Sequence, residues 1–334
     1  MRRSTLGGSR AAVTELSFGA ASIGNLYTPV AEDEASATVD AAWDAGIRYF
    51  DTAPHYGLGL SERRLGQALR ERPRAEYVLS TKVGRLLVPD GAGAPDRDDL
   101  DHGFAVPATH RRVWDFSADG VRRGISASLD RLGLDRIDIA YLHDPDDHPA
   151  QALREGYPAL ERLRAEGTLG AIGVGMNQGA MLARFLRETD IDVVLLAGRY
   201  TLLDHTGLAE ALPEAAARGR SVVIGSVFNS GLLAAPGPGA TFQYEPVPAP
   251  VLERAERMRA VTERHGVPLP AAALRFPFGH PSVVSVLIGA RSAAEVRRSA
   301  RLWQQRVPAA LWAELRAEGL LPYEVPVPPG DDRA

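Results

Sequence analysis

Short apolar or β-branched runs bounded by turn-forming residues recur eight times along the chain: Leu16 to Ala20, Tyr49 to Asp51, Val78 to Lys82, Asp138 to His143, Ala171 to Gly175, Val193 to Ala197, Val222 to Ser226 and Val283 to Ile288. Such runs read as strands. Between them the apolar positions fall three and four apart, as in EDEASATVDAAWDAG, SERRLGQALRER, SADGVRRGISASLDRLG, ALREGYPALERLRAEG and GLAEALPEAAARG. That spacing predicts amphipathic helices. Several strands are apolar at every position, as expected where helices cover the outside and side chains fill the inside. Strand and helix in eightfold alternation predict one α/β domain over residues 1–334, a (β/α)₈ TIM barrel.

A doubly wound sheet is the competing arrangement, and it would carry GxGxxG after its first strand. The nearest approach, Gly173, Gly175 and Gly179 in GVGMNQG, has one residue too many and follows the fifth strand. Two stretches, 84–115 and 234–250, are rich in Gly and Pro and read as long loops after the third and seventh strands. Long loops in a compact fold serve as lids or binding segments, or are disordered.

Composition narrows the function. With 45% hydrophobic and 24% charged residues in 334, the chain can bury a large core. A formal charge of −4 leaves no basic excess, so no nucleic-acid or anionic-membrane partner is expected and a small molecule fits better. No apolar run reaches bilayer length, and the opening MRRSTLGGSRAAVTELSF lacks a continuous signal core, so a cytoplasmic protein is expected. The absence of cysteine excludes disulfides, zinc-thiolate sites and cysteine nucleophiles.

Of 38 basic residues only Lys82 is lysine. Arginine serves wherever a generic positive charge suffices, a bias that codon composition alone explains. The exception points to chemistry that a compact ammonium with an adjustable pKa can do and a planar guanidinium cannot.

In a (β/α)₈ barrel, catalytic groups lie at the C-terminal ends of strands. Asp51, Lys82 and His143 occupy such ends on the second, third and fourth strands, and Tyr56 follows Asp51 in the same loop. An ammonium beside a phenol favours the phenolate, so Lys82 is expected to lower the pKa of Tyr56. A buried ammonium needs a carboxylate, which Asp51 supplies. His143 fits a hydrogen bond to a substrate oxygen. Each residue has a plainer alternative. Asp51 with Thr52 could cap a turn, Tyr56 could pack an interface, and His143 could be a satisfied core histidine. The run HDPDDH from His143 to His148 has metal-ligand residue types, but its spacing matches no helix or strand face; no metal is expected, and Asp146, Asp147 and His148 read as the cap region of the next helix.

The segment YFDTAPHYGLGLSERRLGQAL, with STKVGR and IDIAYLHDPD, resembles the aldo/keto reductase superfamily, and the resemblance runs from about Leu16 to Ala300. It implies a catalytic tetrad of Asp51, Tyr56, Lys82 and His143 and a nicotinamide cofactor. AIGVGMN resembles the segment whose asparagine holds the carboxamide, here Asn177. VVIGSVFNSGLL resembles the strand and loop over the pyrophosphate, with Ser226, Phe228, Asn229, Gly231 and Leu232 as contacts. Gly225 and Ala197 depart from the family's tyrosine and glutamine, which leaves Phe228 as a stacking surface. LIGARSAAEVRRSA resembles the segment at the adenosine 2′-position, with Gly289, Arg291, Ser292 and Glu295 as contacts. Glu295 there favours NAD over NADP, while Arg291 or Arg298 could reach a 2′-phosphate.

GVGMNQ, AGRYTLLD and VFNSGLL are similar to a narrower group of D-threo-aldose (L-fucose) 1-dehydrogenases and pyridoxal 4-dehydrogenases, which implies oxidation of a cyclic hemiacetal to a lactone. Asn25, Tyr27, Trp114 and Phe116, from the first and third βα loops, are the expected substrate lining. The same tetrad run in reverse would make an NADPH-dependent aldehyde reductase. A non-catalytic dinucleotide-binding subunit is the remaining alternative.

Overall fold

In a computed structural model, which describes residues 1–90, 97–243 and 245–331, eight parallel strands close into a barrel. They are β1 (Leu16–Gly19), β2 (Tyr49–Asp51), β3 (Val78–Val83), β4 (Ile139–His143), β5 (Ala171–Met176), β6 (Val193–Ala197), β7 (Ser221–Gly225) and β8 (Val283–Gly289). Each pairs with its neighbour in sequence, and β8 returns to β1. All eight expected strands are present, Tyr49–Asp51 and Val193–Ala197 with the expected ends and the others with one end, or for β7 both, shifted by one residue.

Helices surround the barrel: α1 (Glu32–Asp44), α2 (Leu60–Leu69), α3 (Ala118–Leu132), α4 (Tyr157–Ala165), α5 (Gly179–Glu188), α6 (Ala211–Ala217), α7 (Ala249–Arg264), α8 (Leu269–Arg275), α9 (Ala293–Trp303) and α10 (Ala309–Ala317). Their ends follow from local chemistry. The hydroxyl of Ser117 accepts from Gly120 N at 3.0 Å at the start of α3, and Gly133, at φ 62°, ends it. A helical turn from Pro149 and a π-helical stretch, Ala152–Gly156, lead into α4, so the HDPDDH run does end where a helix begins.

Inside the barrel Tyr49, Tyr141, Val193, Leu195, Val223 and Leu287 form one apolar cluster. Tyr49 and Tyr141 share a 3.0 Å hydroxyl hydrogen bond, so the buried phenols are satisfied. Leu6, Ala11 and Val13, from an N-terminal hairpin (Arg3–Thr5 with Ala12–Thr14), join the cluster and close the end opposite the strand C-termini.

Both expected loops carry structure of their own. In 84–115 an antiparallel hairpin pairs Arg85–Pro89 with His110–Trp114; residues 91–96 of that stretch lie outside the described residues. Its strands, RLLVP and HRRVW, mix basic and apolar residues that are mostly half-buried, which hides the alternation among neighbouring turn formers. In 234–250 a two-residue hairpin pairs Thr241–Phe242 with Glu245–Pro246 before α7 begins.

Candidate active site

Asp51 and His143 are the last residues of β2 and β4, and Lys82 is the penultimate residue of β3. Parallel register sets Asp51 against Ser80 and Lys82 against Tyr141, which brings the three side chains to one end of the barrel. Tyr56 arrives from the loop after β2. That loop needs Gly57, at φ 60°, because a Cβ there would lie 2.1 Å from Gly24 O.

The ammonium of Lys82 has three protons, and all are donated: to Asp51 Oδ2 at 2.6 Å, Thr52 O at 3.0 Å and Tyr56 Oη at 3.1 Å. Ser80 Oγ donates to Asp51 Oδ1 at 2.6 Å. The His143 ring stands perpendicular to that of Tyr56, centroids 6.0 Å apart. The four residues named from the sequence are therefore brought together.

Burial disfavours the charge on Lys82, but Asp51 and Tyr56 beside it push its pKa up to about 12. Burial raises the phenol of Tyr56, and Lys82 pulls it back only in part, so the group sits above its ordinary value. The expected effect of Lys82 is present, but desolvation outweighs it. Burial, then the charges of Arg85 and Lys82, hold His143 well below the ordinary imidazole value. Its Nδ1 is buried with no hydrogen-bond partner, so the ring is neutral with one polar atom unspent.

Beside His143 stands a wall supplied by the hairpin. The Arg85 guanidinium lies 4.5 Å over the Trp114 ring and is hydrogen-bonded to Asp144. Asp144 adopts φ 42° and lies 3.7 Å from His143 Nε2. Backbone in that region is costly for a side-chain-bearing residue and clusters at functional sites. Trp114 is 39% exposed and stacks on Phe116 at 5.9 Å. Phe116 is fully buried, so it backs Trp114 rather than facing a cleft. Asn25 is also spent on the scaffold: its side chain donates to Ala105 O and accepts from Val30 N and Arg64. Tyr27 is exposed.

A cleft at the ends of β5, β6 and β7 is lined by Asn177, Ala197, Arg199, Ser226, Asn229 and Gln243. Ala197, which lines it, is the register partner of the buried Gly225 on β7. The two departures from the family pattern thus lie side by side. Ser226, Asn229 and Ser230 all adopt positive φ, between 47° and 58°, which bends the loop after β7 around the cleft. Asn229 is buried and bonded to Thr201 Oγ1 and Gly198 O, so its side chain builds the loop. Leu232 is fully buried in the core, Phe228 packs half-buried against it, and Gly231 is exposed.

At the exposed end of β8, past Gly289, the hydroxyl of Ser292 caps α9 by accepting from Glu295 N at 3.2 Å. Glu295 accepts from Arg291 N at 2.8 Å and pairs with the Arg291 side chain. Glu34, which sequence reasoning missed, accepts from Ala293 N at 2.9 Å. Arg85, Asp144 and Gln243 were missed too. Each lies in or beside a loop, where spacing carries no trace of what the side chain faces. A cleft lined by Asn177, Ala197 and Ser226, an unspent imidazole nitrogen and a strained loop fit a bound dinucleotide. Among the described residues no group of three or more His, Asp or Glu side chains is arranged to hold a metal ion, and no helix is long and apolar enough to cross a membrane.

The sequence profile described as the aldo/keto reductase family matches residues 15–318. The chain is 48% identical to a D-threo-aldose 1-dehydrogenase from Pseudomonas sp over 93% of its length and 95% of that protein's. It is 43% identical to a pyridoxal 4-dehydrogenase from Microbacterium luteolum, over 95% of this chain and 97% of the other. A holo-form aldo-keto reductase from Bacillus halodurans superposes with a TM-score of 0.74 at 26% identity, covering 97% of this chain and 98% of that one.

Proposed function

Because the chain belongs to the aldo/keto reductase family and is an oxidoreductase, we propose that it oxidises the anomeric carbon of an aldose of the D-threo (L-fucose) type, or the equivalent carbon of pyridoxal, with NAD. The observation that carries this reading is Lys82 Nζ placed between Asp51 Oδ2 and Tyr56 Oη. Similarity to two dehydrogenases over nearly their whole length supports the substrate class.

When bound, the nicotinamide supplies the carbon that accepts hydride. Asn177, Ser226 and Phe228 are the side chains that would hold it beside Ala197, with the loop backbone through Gly231 alongside. Tyr56 Oη takes the proton from the substrate hydroxyl. The base is the Tyr56 phenolate, which Lys82 stabilises and which becomes the neutral phenol on taking that proton, while Asp51 keeps the ammonium charged. Neutral His143 hydrogen-bonds the substrate oxygen and holds it near Tyr56. Burial keeps Tyr56 protonated in the free protein, so oxidation is favoured as pH rises and reduction as it falls.

The start of α9 supports NAD. The carboxylates of Glu34 and Glu295 already accept from Ala293 N and Arg291 N. A 2′-phosphate dianion there would meet two negative charges, whereas a ribose hydroxyl can donate to them.

Formation or loss of reduced nicotinamide, followed with L-fucose, D-arabinose, L-galactose, pyridoxal and propanal against both cofactors, tests the proposal. Oxidation of an aldose or pyridoxal with NAD should have the highest kcat/KM. Reduction of propanal with NADPH as the best reaction would contradict it.

A further inference from the structure

His55 precedes Tyr56 and was not singled out by its residue type or spacing. Its ring centroid lies 6.0 Å from that of Tyr56 and 5.8 Å from that of His143, and it meets Phe104 edge-on at 5.3 Å. We propose that His55 is a second imidazole of the active site, locked by Arg112 in its Nε2–H form, which donates a hydrogen bond to a substrate hydroxyl beyond the one His143 holds. This rests on the sugar-oxidising reading above and deepens it, since only a polyhydroxylated substrate uses a second donor.

The lock follows from what arginine can do. Arg112 Nε approaches His55 Nδ1 at 2.5 Å, and the same guanidinium donates to His55 O at 3.1 Å. A guanidinium is always charged and has no acceptor, so Nδ1 must offer a lone pair. The proton of the neutral ring is then on Nε2.

Arg112 is itself fixed. Asp99 receives it through both carboxylate oxygens, at 2.8 and 2.5 Å, and both side chains are almost fully buried. The backbone of Asp99 is held by Val106 O and Phe104 N. A chain of contacts therefore runs from the hairpin after β3, through Asp99 and Arg112, to the residue beside the proton-transferring tyrosine.

The surroundings leave His55 no second protonation. Arg112, Arg85, Lys82, His102 and His143 face it, and the carboxylate of Asp99 is neutralised by Arg112. Burial first, then Arg85 and Arg112, push its pKa down to about 2. At working pH it is a fixed donor. A packing histidine would not need its tautomer set by a buried ion pair.

Long-range proton–nitrogen NMR spectra of protein labelled with ¹⁵N in histidine, with His55→Gln to assign the signal, read the tautomer without substrate. The expected result is protonation at Nε2 alone and no titration between about pH 5 and 8. In Arg112→Met, which frees Nδ1 but keeps the ring, the same signal should move with pH in that window. An Nδ1–H form or a titrating ring in the wild type would overturn the lock.

In kinetics with NAD, His55→Phe should raise KM for L-fucose by about 5- to 10-fold, the loss expected of one hydrogen bond, with kcat changed less. KM for propanal with NADH should stay as it was. Equal changes for both substrates, or none, would overturn the donor role. The imidazole spectrum is decided whether or not L-fucose is turned over, so the lock and the sugar reading fail separately.

Discussion

Lys82 Nζ and Asp51 Oδ2 are held 2.6 Å apart, and each side chain is at most 3% exposed. A pair this deeply buried is strongly destabilised by removal of one partner, at about 3–5 kcal/mol, because the other charge is left without compensation. The ammonium at its centre makes a third contact with Tyr56, so one residue joins the fold of the barrel mouth to its chemistry.

Lys82→Arg separates the charge from the shape. A guanidinium keeps the charge but cannot place one compact donor group against Asp51, Thr52 and Tyr56 together. The variant should fold, as judged by circular dichroism, and lose turnover at least about 100-fold, the scale of proton-transfer catalysis. Near-normal kcat would show that Lys82 supplies only positive charge.

Cofactor choice should respond to the carboxylates at the start of α9. Wild-type kcat/KM should favour NAD, and Glu295→Arg should shift the ratio toward NADP by about tenfold or more, as a repulsive charge becomes an attractive one. Glu34→Gln should shift it the same way by less, since Glu34 bonds Ala293 N and a neutral amide can still accept there. A wild-type preference for NADP would overturn the assignment. An unshifted ratio in Glu295→Arg would remove Glu295 as its cause.

Stability should fall with acid through His55. Its folded pKa is pushed down to about 2 by burial, then by Arg85 and Arg112. Below the unfolded value, near about 6.5, an unfolded imidazole binds a proton that the folded one does not, so unfolding is favoured as pH falls. The contribution is at most about 1.4 kcal/mol per pH unit. Urea unfolding of wild type and His55→Gln between about pH 6.5 and 4.5 should show the flatter dependence in the variant. Equal slopes would mean that His55 is protonated in the folded protein.

What the sequence reveals of this molecule follows from how far each signal reaches. The three-residue strand Tyr49–Asp51 is legible because apolar residues end abruptly at a carboxylate and a turn. Lys82 is legible because it is the single lysine. The hairpin after β3 is not, since its strands are mixed in polarity and separated by turn formers. Long-range pairing leaves no local trace either: Arg112 and His55 are 57 residues apart, and Ala293 and Glu34 are 259. Phe116 shows the limit of arguing from residue type. An aromatic in a mouth loop suits a sugar face, yet this one is wholly buried behind Trp114.

The central claim is that Tyr56, tuned by Lys82 and Asp51, carries the proton in a nicotinamide-dependent oxidation. Its most direct test is kcat for the best aldose or pyridoxal substrate with NAD, in wild type and in Tyr56→Phe, which removes one hydroxyl and little volume. The expected result is a loss of about 10² to 10⁴ in kcat, with the dissociation constant for NAD, read by fluorescence titration, nearly unchanged. A Tyr56→Phe enzyme that keeps more than about a tenth of the wild-type kcat would contradict the assignment, because removing a general acid–base group costs far more than that.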